Sequence, residues 1–368
     1  MNKNTIVIAS ILKPVDDTRM YEKIGRSLAK TNKYDVHIIG FWIKKIPEAE
    51  HITFHPTFNF SRLSFNRLMA PFKCYQLLRK IKPQALIINT HELLIIGAIF
   101  SLFNRTKFIY DVRENYYRNI LYTASFPKLV RPVLAHWVRL KEYASQLFVD
   151  HYFLAEQSYE QEFSFTRKKS TVLENKYQPI DNFVKSDRRD PLGSKLLFSG
   201  TLAESTGVFH AIDLAISLHK IDPNISLDII GYSPIQSITD RINSLTKQHQ
   251  FITLLGGNKL VAHSEVIAKI QQANFGIIFY PSNKSTINST PTKLYEYLAN
   301  QLPIIIQNNP KWQAICEAHS AGIAIDFSDY QAGDLLHQMK TTTYYPDEQN
   351  DQFLWISEEV KLLQYMES

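Results

Sequence analysis

Eleven short apolar runs, each followed by a polar turn, limit this 368-residue chain to few folds. In the first half they are TIVIA (5–9), DVHIIG (35–40), ALIIN (85–89), KFIYD (107–111), HYFLA (151–155) and STVL (170–173). In the second they are KLLFS (195–199), SLDIIG (226–231), FITLL (251–255), FGIIF (275–279) and III (304–306). A run that is apolar on both faces suits a strand covered on both sides, as in parallel sheets. Helical periodicity fills the intervals, as at 20–30, where Ile24, Leu28 and Ala29 share one face. Strand, helix and strand in repetition predict a doubly wound α/β fold with right-handed crossovers. Ligands of such folds bind beyond the C-terminal strand ends.

The length exceeds what one core usually supports, so two domains are expected. The polar stretch 176–194, with Pro179, Asp181, Asp187, Arg188, Arg189 and Asp190, reads as the linker. It separates an N-terminal domain (1–175) from a C-terminal domain (195–345). A terminal amphipathic helix (346–368) is expected to pack back on the first domain. Each domain should be Rossmann-like, but no Gly-x-Gly-x-x-Gly follows the first strand, which argues against a dinucleotide site there.

The stretch 289–306, STPTKLYEYLANQLPIII, carries the clearest binding signal. Ser289 and Thr290 are N-cap types and Pro291 suits a first turn. Leu294, Tyr297 and Leu298 form an apolar face, and Pro303 blocks continuation before the strand 304–306. The free amides of 289–293, with the Ser289 and Thr290 hydroxyls and the Lys293 ammonium, make an anion site. Glu296 lies three residues beyond Lys293 and shares its face. Anion site and carboxylate together suit a nucleotide, with diphosphate at the tip and ribose hydroxyls at Glu296. The same residues also fit an ordinary capped helix with a Lys293–Glu296 surface pair. Three Gly-bearing turns, at Gly200, Gly231 and Gly256-Gly257, follow other strands of this half and permit close backbone approach.

In the first half, Asp17 and Arg19 follow the first strand. His91 and Glu92 follow the strand 85–89, and Arg113 and Glu114 the strand 107–111. All therefore sit at the same end of one sheet, where a His and carboxylates can move protons or hold sugar hydroxyls.

The net charge is +6 and the sequence pI near 9.0, which admits anionic partners. Residues 51–83 contain no Asp or Glu. They interleave Arg62, Arg67, Lys73, Arg79, Lys80 and Lys82 with Phe54, Phe58, Phe60, Phe65, Phe72 and Tyr75. Basic groups among aromatics suit an anionic membrane surface, or else a helix with a solvated basic face. No nucleic-acid recognition motif accompanies them, so no nucleic-acid partner is expected. Residues 116–149, aromatic and basic, could extend that surface. Two cysteines, Cys74 and Cys316, exclude a disulfide framework and a thiolate metal site. With no apolar run of membrane-spanning length, the expectation is a cytoplasmic protein, peripheral on the inner face of the membrane.

Five stretches, in order, carry a resemblance: PVDDTRMYEKIGRSLAK, INTHELLIIGA, YDVRENYY, FSGTLAESTGVFHAIDLA and PTKLYEYLANQLPIII. Together they span about residues 14–306 and resemble GT-B glycosyltransferases, most nearly the retaining group called family 4. The resemblance implies two Rossmann-like domains facing a cleft. It implies metal-independent transfer of a sugar from a nucleotide sugar to a glycan or lipid-linked acceptor, as in surface polysaccharide or glycoconjugate synthesis. No cofactor is implied beyond the donor substrate. By the same resemblance Glu296 holds the donor ribose, and Gly200 and Thr201 form the turn by the diphosphate, with Ser289, Thr290 and Lys293 close by. His91, Arg113 and Glu114 are the catalytic candidates, and Asp17 and Arg19 face the acceptor.

Four positions depart from the family pattern, and one of them is Arg113, where the first-domain motif often has His before its Glu. Asn288 stands for a usual glutamate, and Thr201 and Thr206 stand for an arginine and a lysine in the Gly200 turn. A diphosphate would lose two cations, each counting for roughly 1.5–3 kcal/mol. Lys293, Arg113 and Lys176 are the candidates to replace them. A sugar-nucleotide epimerase or a non-catalytic binding protein of the same fold are the alternatives.

Overall fold

The apolar runs form the strands of two wholly parallel sheets. The structure, a computed structural model, describes residues 3–61, 64–123, 126–166, 169–179, 194–281, 287–346 and 351–368. Arg62 of the basic stretch and residues 180–193 of the expected linker lie outside the described residues.

The first sheet comprises β1 (Asn4–Pro14), β2 (Tyr34–Phe41), β3 (Ile52–Phe58), β4 (Ala85–Ile88), β5 (Lys107–Val112), β6 (His151–Leu154) and β7 (Ser170–Val172). Their order is β3-β2-β1-β4-β5-β6-β7. The second comprises β8 (Lys195–Thr201), β9 (Ser226–Tyr232), β10 (Ile252–Gly257), β11 (Phe275–Ile278), β12 (Ile304–Gln307) and β13 (Gly322–Ile325), ordered β10-β9-β8-β11-β12-β13. Both sheets wind outward from their first strand, return, and wind the other way. The topological switch points therefore fall between β1 and β4 and between β8 and β11, where such folds open a crevice for ligands.

The first set of helices is α1 (Arg26–Lys30), α2 (Phe65–Ile81), α3 (Leu94–Asn104), α4 (Tyr116–Tyr122), α5 (Arg131–Ser145) and α6 (Tyr159–Glu162). The second is α7 (Val208–His219), α8 (Gln236–Gln248), α9 (His263–Gln272), α10 (Thr292–Ala299), α11 (Pro310–Ala318) and α12 (Ala332–Thr341), and α13 (Ile356–Glu367) ends the chain. The expected helix 20–30 begins earlier, as a π-helix over Thr18–Gly25 that runs into α1.

The chain divides into two compact units. Unit 1 is Met1–Gln178 with Trp355–Ser368, and unit 2 is Pro179–Leu354. In unit 1 the sheet is buried on both faces, as alternation along β1 shows. Val7 and Ala9 enter one core, under α2 and α3, while Ile6 and Ile8 enter the other, with Leu28 of α1 and Leu362 of α13. Trp355, fully buried in that second core, donates its indole N–H to Ser27 Oγ at 2.9 Å. Unit 2 has one large core to which α7 contributes Val208, Ala211, Ile212, Leu214, Ala215 and Leu218, and the three Ile of β12 are fully buried.

Two strands have no counterpart among the apolar runs, β3 and β13, and both are sheet edges. β3 carries Pro56, which an edge strand tolerates because one row of its N–H groups is unpaired. With β3 formed, Phe58 lies in the core and only part of 51–83 is surface helix.

Candidate functional site

In unit 2 the C-terminal ends of β8, β9 and β10 carry a row of glycines in register. Gly200 pairs with Gly231, and Gly231 with Gly256. Gly231 is glycine for packing, since a Cβ there would lie 1.7 Å from the Gly200 carbonyl oxygen. Gly200 has φ +102° and an open face, and what a Cβ there would approach is Lys293, with Nζ 4.0 Å away.

Lys293 reaches that point because α10 is fixed against β8 and β11. Leu294, Tyr297 and Leu298 are fully buried, and the Tyr297 hydroxyl meets Ser199 Oγ at 2.8 Å. Lys293 itself is 7 % exposed, and its Nζ has no hydrogen-bond partner among the described residues. The ammonium rests on aromatic faces, 4.4 Å from the Phe198 ring centroid and 5.3 Å from that of Tyr280. Burial pulls its pKa down to about 8, against the opposing pull of Glu296. Glu296, three residues on, lies with Oε1 3.3 Å from His263 Nε2 at the start of α9. In the first turn of α10 the Thr292 and Lys293 amides add donors with no intrahelical acceptor, whereas the Leu294 amide donates to the Pro291 carbonyl at 2.9 Å.

The residues before α10 are arranged differently from the sequence expectation. Pro291 occupies the N-cap and no side chain caps the helix. Ser289 instead offers its carbonyl to the Trp312 indole N–H at 2.7 Å, and Thr290 is buried. Asn288 offers its carbonyl to Lys311 Nζ at 3.1 Å. In the turn after β8, exposed Thr201 offers no charge. The Thr206 hydroxyl closes the turn on itself, donating to the Thr201 carbonyl at 2.6 Å and accepting from Ala203 N–H at 3.2 Å.

Unit 1 has its own cluster where β1, β4 and β5 end. Asp17 caps the helical segment that follows, accepting from the Arg19 and Met20 amides at 3.0 Å. It also takes both arms of Arg113, at 2.7 and 3.1 Å. Burial alone would raise the Asp17 carboxyl, but Arg113 and Lys13 hold it below the usual range. Burial opposes the Arg113 charge, and Asp17 more than restores it. Glu114 lies 3.2 Å from Lys13 Nζ and accepts from Asn119 at 3.2 Å. His91 sits edge-on to Tyr116, with Nδ1 3.0 Å from Lys141 Nζ. Burial pushes its pKa down to about 4, so the ring is neutral near pH 7. An Nδ1 that accepts from Lys141 leaves the hydrogen on Nε2, which then donates.

Arg19 is not part of that cluster's accessible surface. It is fully buried and grips Asp111 through Nε at 2.9 Å and Nη2 at 2.6 Å, while Nη1 donates to the Leu173 carbonyl at 2.8 Å. Lys176 is likewise engaged within unit 1, 2.8 Å from the buried Glu358 carboxylate.

No protein-family model and no curated protein matches the chain in sequence. Solved structures do match in shape. Sucrose-phosphate synthase from Thermosynechococcus elongatus superposes with TM-score 0.68 at 13% identity, covering 99% of this chain and 98% of that one. Anabaena HepE, solved with UDP and glucose, gives TM-score 0.69 at 13% identity, covering 99% of each. A trehalose-phosphate synthase from Burkholderia xenovorans gives 0.66 at 9% identity, covering 99% of this chain and all of that one. The chain has the GT-B fold.

Within the GT-B architecture the residues singled out from sequence fall into two groups. Gly200, Thr201, Lys293 and Glu296 gather at the β8/β11 switch point of unit 2, and Asp17, His91, Arg113 and Glu114 at strand ends of unit 1. Arg19 is a structural residue, and Ser289 and Thr290 do not cap α10. Sequence reasoning missed the partners that tune the site: Phe198 and Tyr280 under Lys293, His263 beside Glu296, Lys13 beside Glu114 and Lys141 on His91. Lys13 and Tyr280 each stand just past an apolar run, the one position-based signal that could have marked them.

Proposed function

We propose that this chain transfers a sugar from a nucleoside diphosphate sugar to an acceptor hydroxyl, without a metal ion. The observation that carries the reading is the unpaired, buried Lys293 ammonium beneath the Gly200 turn. Of the three cations that could replace those missing from that turn, Arg113 is bound to Asp17 and Lys176 to Glu358. Lys293 alone of the three keeps its donors unengaged. A buried ammonium with no hydrogen-bond partner, its charge offset only in part by Glu296, is unfavourable, and a diphosphate supplies the missing acceptor. UDP in HepE and ADP in an Arabidopsis starch synthase IV catalytic domain support a nucleoside diphosphate as the ligand class.

In this reading the diphosphate lies against Lys293, the first-turn amides of α10 and the Gly200 backbone. Glu296, oriented by His263, accepts the ribose hydroxyls. As the anomeric C–O bond breaks, its electron pair moves to the β-phosphate oxygen, the acceptor hydroxyl oxygen bonds the anomeric carbon and its proton passes to that phosphate oxygen, and Lys293 with the α10 amides stabilises the charge that develops there. The acceptor side is assigned to unit 1. There Arg113 is locked on Asp17, Glu114 is held ionised by Lys13 and Arg113, and the His91 Nε2–H lies 3.5 Å from the Glu92 carboxylate. None of the three is set as a strong base, so we assign them to holding sugar oxygens. Retention of configuration rests on the resemblance to the family 4 pattern, and a glycan or lipid-linked acceptor on the same ground.

One observation favours a second reading. The Thr206 hydroxyl is taken up in closing its own turn, so that turn brings no charge to a donor. A binding protein of the same fold, without transferase activity, would tolerate this. Calorimetry with UDP, GDP and ADP, on the native chain and Lys293→Met, tests the nucleotide site; no binding by any of the three would sink it. Product analysis with nucleotide sugars, alone and with acceptors, then distinguishes transferase, epimerase and silent binder.

A further inference from the structure

Unit 1 exposes an unusual amount of apolar surface on one layer of helices. Of the 27 large apolar side chains exposed among the described residues, 16 lie on α2, α3, α5 or the turns flanking α5. α2 packs on α3, and α3 on α5, so the three form a continuous layer. Phe65, Leu68, Phe103, Val133 and Leu147 are each at least 70 % exposed. Between α3 and α5 runs a groove of about 360 Å³, lined by Leu94, Ile99, Leu102, Trp137, Leu140 and their neighbours. An apolar surface this concentrated marks an interaction site.

Charge identifies the partner. α2 and α3 contain no acidic residue, and the one in α5, Glu142, is fully buried. Lys73, Arg79 and Lys80 on α2, Arg105 after α3 and Lys128 before α5 are exposed. A protein partner would ordinarily meet a mixed-charge rim. Apolar side chains among cations, with no exposed carboxylate on the helices, match a bilayer of anionic lipids. Residues 51–83 are only part of this face. Phe58 is in the core and Arg67 is paired with Glu92 at 2.5 Å, whereas α3 and α5 supply most of the exposed apolar groups.

We propose that the α2–α3–α5 face of unit 1 docks on an anionic lipid membrane, with the α3–α5 groove receiving lipid hydrocarbon. The inference stands apart from the nucleotide site, since neither its residues nor its test involves a donor. Docking by this face would give the chain access to an acceptor carried on a lipid.

The test is sedimentation of the full chain with vesicles of phosphatidylcholine alone or mixed with phosphatidylglycerol. The double variant Leu102→Glu/Leu140→Glu changes two exposed side chains and should fold normally, which circular dichroism checks. Ile221→Glu, exposed on unit 2, is the control. The native chain and the control should bind the anionic vesicles, more tightly at low salt. The double variant should partition about tenfold less. Absence of binding to anionic vesicles, or equal binding by the double variant, would overturn the proposal. So would a concentration-dependent dimer that the double variant dissolves, which would assign the face to a second copy of the chain.

Discussion

Replacing Lys293 by Met should make the empty protein more stable while weakening its nucleotide affinity. The ammonium is buried on two aromatic rings, and its pKa falls from 10.5 to about 8. At 1.36 kcal/mol per pH unit this fall represents about 3 kcal/mol of destabilisation of the charged form in the folded chain. The folded state holds the proton less tightly than the unfolded state. Between pH 8 and 10.5 the unfolded chain therefore binds more protons, and stability rises with pH. Below pH 8 the penalty is fully present. Met has nearly the same length and no charge, so it removes the penalty and forfeits only the cation–π contacts, about 0.5–2 kcal/mol. The net gain at pH 7 is about 1–2 kcal/mol, or roughly 2–8 °C in Tm for a unit of this size. The gain should shrink by pH 9.5, where the native lysine is largely neutral. In the same variant, loss of a charge-assisted contact to a diphosphate should weaken binding about 10- to 150-fold. Differential scanning calorimetry at pH 7 and 9.5, and titration with UDP, GDP and ADP, read both effects. A variant that is less stable than the native chain, or that binds nucleotide equally well, would refute the reasoning.

Three further substitutions separate structural from binding roles. Arg19→Ala leaves Asp111 buried and unpaired, and should cost about 3–5 kcal/mol in denaturant unfolding; a loss under about 1 kcal/mol would show that the pair does not hold the helical segment Thr18–Gly25 to β5. Gly231→Ala drives a Cβ into the Gly200 carbonyl and should abolish soluble folding, whereas Gly200→Ala meets only strain, about 1 kcal/mol; equal effects would contradict the register of β8 and β9. Glu296→Gln should weaken nucleoside diphosphate binding roughly tenfold through the ribose hydroxyls and leave Tm within about 2 °C; unchanged affinity would remove Glu296 from the site.

Much of the fold was legible because parallel strands buried on both faces write themselves as unbroken apolar runs. All eleven runs are strands, and Leu294, Tyr297 and Leu298 are buried as their spacing required. The edge strands β3 and β13 were hidden because an edge is only partly covered and carries Pro, His or Gly where a central strand carries Ile. Site residues were legible as positions beyond strand ends, but their electrostatic state was not. Asp17, Arg19 and Arg113 are close in sequence or in topology and look alike there. Only the packing shows that Arg19 turns inward to Asp111 while Arg113 turns to Asp17. The helix start was misread for a related reason. Ser289 and Thr290 have capping side chains, yet α11 claims the loop first through Trp312 and Lys311.

The missing cations of the Gly200 turn and the unpaired Lys293 are best understood together. A diphosphate responds to charge at a place, whichever element delivers it, and Nζ of Lys293 lies 4.0 Å from where a Gly200 side chain would begin. With Thr206 closing the turn by hydrogen bonds, the turn needs no charged residue for its shape. A single ammonium on a helix behaves differently from an arginine and a lysine on a loop, because burial brings it within reach of deprotonation. Lysine near pH 8 loses its charge in mild alkali, whereas guanidinium does not. Binding of a diphosphate must therefore take up protons around pH 8, about half a proton per nucleotide at that pH. Affinity should fall above it by up to about tenfold per pH unit. Calorimetry in buffers of different ionisation enthalpy reads the proton uptake directly. A nucleotide affinity flat from pH 7 to 9.5 would mean that some other cation holds the phosphates.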